Sequence, residues 1–160
     1  MPAASLVILG IDPGLADTGF GVIEKCGQKI KALAYGSIKT KAHVPHQQRL
    51  LQIRNELMAL INKYQPQYAG VEKLFFAKNV TTAFSVAQAR GVAVLCLGET
   101  CLKLYEFTPL QVKMALTGYG QADKKQIQQM VKIVLGLKEI PKPDDAADAL
   151  AIAVCCAHSI

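Results

Sequence analysis

Three stretches of this chain place carboxylates at the ends of apolar runs. Asp12 closes LVILGID, Glu72 closes YAGVE, and Asp144, Asp145 and Asp148 open DDAADALAIA. An acid at the end of a strand-like apolar run stands in a sheet interior, where an unpaired ionised carboxylate is strongly disfavoured. Acids collected from distant parts of the chain imply a divalent cation, and oxygen-only donors select Mg²⁺ or Mn²⁺ over zinc. In a chain of formal net charge +6, such a site points to phosphodiester chemistry.

The acids differ in how much they say. Asp145 and Asp148 are three apart at the start of a helix, so both project from one face, and the helix dipole favours negative charge there. Taken alone, they read as first-turn decoration beside Asp144 as an N-cap. Asp12 and Glu72 have no capping role, and with them the set reads as a shared cation site.

The elements that must position these acids follow from periodicity and turn chemistry. Leu6 to Asp12, Gly19 to Cys26 and Ile30 to Lys39 read as three antiparallel strands, separated by Pro13-Gly14 and by Gly27. Gly19 and Gly21 let the backbone come close to whatever occupies the mouth beside Asp12. From Pro45 to Tyr64, Leu50, Ile53, Leu57, Leu60 and Ile61 recur at helical spacing, and Pro66 stops the helix before a short strand from Tyr68 to Leu74. A second helix runs from about Val80 to Leu97, its apolar stripe broken by Arg90, and a strand follows from Leu102 to Phe107. Thr108, Pro109 and Gln111 read as N-cap, N1 and N3 of a short helix; Asp123 caps another, and a last helix starts near Asp144. Three strands, helix, strand, helix, strand, then helices describe an α/β fold: a mixed five-stranded sheet with helices on both faces. With no linker or repeat, residues 1–160 read as one domain.

Composition bounds the rest. The chain is 51% hydrophobic, which excludes disorder, and its 18 Lys plus Arg against 12 Asp plus Glu favour a polyanionic partner. Five cysteines without a CxxC pair read as reduced thiols, and Cys155, Cys156 and His158 point in different directions on a helix, which disfavours a zinc site. No basic segment followed by an apolar one opens the chain, and no apolar run approaches the roughly 20 residues of a bilayer span, so a cytoplasmic location is expected.

ILGIDPGLADTGFGVI, GVEKLFFAKN, AQARGVAVL and DDAADALAIA together resemble the RuvC family of Holliday-junction resolvases, in the family's order and spacing and over nearly the whole chain. The resemblance implies an RNase H-like nuclease domain, a homodimer, four-way junction DNA as substrate, and a branch-migration complex of the RuvA and RuvB type as partner. It implies Asp12, Glu72, Asp145 and Asp148 as catalytic, metal-binding acids, Lys113 and Lys124 as phosphate contacts, and Phe75 as a junction-probing aromatic. Each lysine reads equally as solvated surface charge; Phe75 and Phe76 have a core reading too, with Phe75 favoured for stacking on an exposed base. The chemistry expected is hydrolysis assisted by two Mg²⁺ about 3.5–4 Å apart, with Mn²⁺ able to substitute, leaving ligatable 5′-phosphate nicks in recombination and repair.

Other classes compete. DPGLADTG also resembles the phosphate loop of actin-type and hexokinase-type ATPases, but those need two domains and a second phosphate loop. An RNase H-type nuclease acting on RNA or RNA–DNA hybrid shares the acids. A non-catalytic junction-binding protein gains nothing by setting carboxylates near phosphates.

Overall fold

The computed structural model describes residues 4–74 and 80–160. Strands β1 (Ser5–Asp12), β2 (Asp17–Cys26) and β3 (Lys29–Lys39) form an antiparallel meander. Helix α1 (His46–Tyr64) carries the chain to β4 (Tyr68–Glu72), which lies parallel to β1, and α2 (Val80–Glu99) leads to β5 (Lys103–Phe107), parallel to β4. The sheet order is β3-β2-β1-β4-β5, which puts β1 at its centre. Helices α3 (Pro109–Thr117), α4 (Lys124–Val134) and α5 (Asp144–His158) follow. The mixed five-stranded sheet with helices on both faces is as the residue pattern implies, with the starts of β1, β2, β3 and β5 displaced by one or two residues and β4 ending at Glu72, two residues before Leu74.

Strand alternation divides the interior in two. Leu9, Ile11, Ala69 and Val71 meet α1 and α2 on one face, through Ile53, Leu57, Ala89 and Ala93. The opposite face of β1 and β4 carries Ile8, Gly10, Tyr68 and Gly70, and on it lies α5, with α3 and α4 packed beside it. Every residue of α5 from Ala149 to Ala157 is buried.

Helix α5 sits unusually low because glycines floor it. A Cβ built on Gly10 would lie 2.1 Å from the Ala149 carbonyl oxygen, and one on Gly19 2.0 Å from that of Asp145. On Gly21, the register partner of Gly10, it would meet Leu150 at 2.7 Å. The glycines thus admit a helix backbone, correcting the expectation that the approaching group belongs to whatever occupies the mouth beside Asp12. At the far end of α5, the Lys25 ammonium on β2 donates to the carbonyls of Ala157 at 2.5 Å and Ile160 at 2.7 Å, holding the negative end of the helix dipole.

Helix α2 corrects the expectation about bilayer spans: by length and composition alone it could cross one, with 20 residues and a mean hydropathy of 1.5. Its apolar content serves two faces. Ala89, Ala93, Cys96 and Leu97 pack on the sheet, while Phe84 and Leu95 are exposed. Arg90, the cation in the stripe, pairs with Glu106 on β5 and donates from Nε to the Glu72 carbonyl at 3.2 Å.

A methyl group at Gly10 must displace helix backbone. Gly10→Ala is expected to lower Tm by about 5–10 °C, the range of over-packing a full core. Gly98→Ala, whose Cβ meets nothing within 4 Å, should leave Tm unchanged or higher in the same calorimetric comparison.

Candidate active site

The acids converge because of parity and register. Asp12 lies two residues beyond Gly10 on β1, and Glu72 two beyond Gly70 on β4, so both point to the α5 face. Ile11 pairs with Val71 in the parallel ladder, which places Asp12 and Glu72 side by side at the carboxyl ends of neighbouring strands. Asp12 is also the register partner of Gly19, over which the Asp145 backbone sits. Asp148 follows one turn later on α5. Carboxylate oxygens of Asp12, Asp145 and Asp148 lie within 4.8 Å of one another, the one such cluster among the described residues.

Glu72 stands outside this trio but close enough to act on it. With Asp12 and Asp148 it lines a cavity of about 280 Å³, which Lys113 from α3 and Lys124 from α4 also line. Capping boxes fix both helix starts. Gln111 N–H donates to Thr108 Oγ1 at 3.1 Å and Thr108 N–H to Gln111 Oε1 at 2.8 Å; Asp123 and Gln126 make the same exchange, both bonds 2.8 Å. Sequence reasoning found the first box and the Asp123 cap.

Burial pushes the Asp12 carboxyl up to about 8, reinforced by the charges of Asp148, then Glu72 and Asp145. Glu72 is raised by burial and then by Asp148. Asp148 is raised by burial against the pull of Lys124, and Asp145 by burial and the neighbouring Asp17. Asp12 and Asp148 thus gather Glu72 on one side and Asp145 on the other, with less positive charge than the four acids need. Such a donor set fits a hard divalent cation.

Asp144 does not cap α5. Pro143, with φ −69° and ψ 177°, supplies the extended N-cap conformation one residue earlier, and Asp144 is already helical. Its carboxylate, outside the trio, pairs with Lys124 at 3.0 Å and accepts from Gln128 Nε2 at 3.3 Å. Phe75 lies outside the described residues, as does Phe76. Cys155 and Cys156 are buried free thiols in α5, and no cluster of metal-ligating side chains includes them among the described residues.

Two supporting residues went unread in the sequence. Thr18 is fully buried, and its hydroxyl donates to the Gly14 carbonyl at 2.6 Å while accepting from Gly14 N–H at 3.4 Å, closing the turn that follows Asp12. Arg90 ties the end of β4, and so Glu72, to α2 and β5. A cation within an apolar stripe was the available signal.

A family profile for crossover junction endodeoxyribonuclease RuvC matches residues 8–156. The chain belongs to the RuvC family. It is 54% identical over 155 residues to the crossover junction endodeoxyribonuclease RuvC of Heliobacterium modesticaldum, covering 97% of this chain and 96% of that protein. The Desulfitobacterium hafniense RuvC is 56% identical over 155 residues, covering 97% and 94%. Among solved structures, Thermus thermophilus RuvC in complex with a Holliday junction substrate superposes with a TM-score of 0.90 at 36% identity, over 95% of this chain and 93% of that one. The yeast mitochondrial Holliday junction resolvase, 13% identical with a TM-score of 0.66, shares the fold alone, covering 92% and 76%. The sheet and its helices are those of the RNase H-like nucleases.

The raised Asp12 carboxyl fixes a sign. Between its ordinary value of 3.8 and about 8, the folded protein holds a proton that the unfolded chain has released, so stability falls as pH rises through that window. In metal-free buffer, Asp12→Asn should melt above wild type, by a margin that widens from pH 5 to pH 9. Added Mg²⁺ should narrow the gap by stabilising wild type, which thermal melts with EDTA or Mg²⁺ will test.

Proposed function

We propose that this chain is a structure-specific endonuclease that resolves four-way (Holliday) DNA junctions in recombination and repair. The observation that carries the reading is the convergence of Asp12, Asp145 and Asp148 to within 4.8 Å in a chain of the RuvC family. Asp12, Glu72, Asp145 and Asp148 would hold two Mg²⁺, which when bound activate water and stabilise the departing 3′ oxygen. Hydrolysis breaks the P–O3′ bond; the water oxygen stays on phosphorus as a 5′-phosphate and a proton passes to the 3′ oxygen. Nicks of that kind are ligatable.

The protein's own groups orient the strand. Lys113 and Lys124, which line the cavity with the acids, hold non-bridging phosphate oxygens as charge-assisted donors and offset the repulsion between acids and backbone. Phe75 is assigned to stacking on an exposed base beside the crossover.

The active form is a homodimer joined through α2. Phe84 is 68% exposed and Leu95 56%, and with the exposed Gly91 between them they lie on one face of the helix. A Cβ at Gly91 would meet nothing within 4 Å, yet a mid-helix glycine costs about 1 kcal/mol relative to alanine. Close approach of a second helix accounts for it. A two-fold dimer suits the near two-fold symmetry of a junction and gives one active site to each of two opposed strands.

Incubation with labelled four-way junction, linear duplex and RNA–DNA hybrid in Mg²⁺ tests the substrate. Only the junction should be cut, in paired nicks; preferential cutting of the hybrid would replace this reading by an RNase H activity. Asp145→Asn and Asp148→Asn should each lose most cleavage while still binding junction. Lys113→Ala and Lys124→Ala should slow single-turnover cleavage about ten- to a hundredfold. Lys31→Ala, which only frees an exposed pair with Glu24 at 2.6 Å, should cut normally.

For the dimer, Gly91→Arg places a charged side chain in the middle of the apolar face. Sedimentation should show a folded monomer with unchanged circular dichroism and no paired cutting, and a wild-type sedimentation coefficient would move the interface elsewhere.

A further inference from the structure

Asp144 has no place in the acid trio and no capping bond, yet it is the group nearest to the Lys124 ammonium. The amine lies 3.0 Å from Asp144 and 3.9 Å from Asp148, so one lysine bridges an acid outside the site and an acid inside it. Asp144 is itself steadied from α4: its other oxygen takes a hydrogen bond from Gln128, one helical turn beyond Lys124. Two positions on α4 therefore face two on α5, Asp144 and Asp148, across the mouth of the cavity.

The exposed side chain of Lys124, 55% accessible, has no described contact besides these two acids. A four-carbon stem of that kind samples many rotamers unless something fixes its head. An ammonium has three donors; Asp144 engages one at 3.0 Å, Asp148 at 3.9 Å attracts the amine by charge without a hydrogen bond, and donors remain for a phosphate oxygen. Resting on the reading of Lys124 as a phosphate-holding residue, we propose that Asp144 is a positioning residue: it anchors the Lys124 ammonium at the rim of the acid cluster so that the scissile phosphate meets a cation already in place. Exposed ion pairs contribute little to stability, so the pair acts on orientation, and its loss shows in rate and not in folding.

The test is a double-mutant cycle read by single-turnover cleavage of a labelled four-way junction at saturating protein and Mg²⁺. Asp144→Asn keeps an oxygen for Gln128 and removes only the charge. Its cleavage rate should fall about five- to tenfold, as expected when a reacting group loses its preset position. Junction affinity in EDTA, Tm and the Mg²⁺ concentration giving half-maximal rate should match wild type. Asp144→Glu should recover part of the rate. In a Lys124→Gln background, Asp144→Asn should have no further effect. A wild-type rate for Asp144→Asn beside an impaired Lys124→Gln overturns the coupling alone, and so does an equal loss on both backgrounds or a loss abolished by more Mg²⁺. A wild-type rate for Lys124→Gln overturns the reading of Lys124 and the coupling with it.

Discussion

The contact between α5 and the glycine floor of β1 and β2 is the constraint on which the rest depends. A helix backbone can lie on strand backbone only where the intervening side chains are missing, and Gly10, Gly19 and Gly21 remove them beneath Ala149, Asp145 and Leu150. The alanines of DAADALAIA serve the same end from the helix side, since a longer side chain at Ala146, Ala149 or Ala153 has no room to fill. What this packing achieves is short reach. Aspartate is a short acid, and three of them share one cluster only because helix and strand come within backbone contact. The Lys25 bond at the far end fixes the slide of the helix along its axis, so both the height and the register of Asp145 and Asp148 over Asp12 are set by packing.

The same contact creates an electrostatic conflict that the fold leaves open. Asp12 is half-buried next to three other acids, and the cation that acts on it, Lys124, sits on the rim and is shared with Asp144. Folding energy from a large apolar core carries this cost. Unpaired negative charge held rigidly in a pocket is also what makes the site receptive to a divalent ion and hostile to a bare phosphate. Lys113 and Lys124 line the same cavity as Asp12, Glu72 and Asp148, so positive charge stands beside the acids.

The two faces of the sheet divide the labour. The α5 face holds the acids and helices α3 and α4, while the other face, covered by α1 and α2, presents an apolar helix surface outward. Arg90 joins the two, reaching from α2 through the edge of the sheet to the end of β4 that carries Glu72. A partner docked on α2 would therefore bear on a helix that also braces the active site.

Much of this was legible in the chain itself. Alternation and turn residues determine the strands, the 3.6-residue period determines the helices, and Thr108 with Gln111 marks a helix start, because all of these depend on interactions between near neighbours in sequence. Asp12 and Glu72 stand out for the same local reason: an acid closing an apolar strand has no partner within reach. Tertiary structure alone decided what lies farther off. That the glycines of β1 and β2 receive a helix, that Asp144 turns away from the cap to hold Lys124, and that Arg90 secures Glu72 are contacts between residues at least 18 apart, except where Pro143 takes the cap by its own backbone geometry. A sequence pattern records which groups need partners; only the packed chain, by bringing distant backbone to within contact, chooses which partner each one gets.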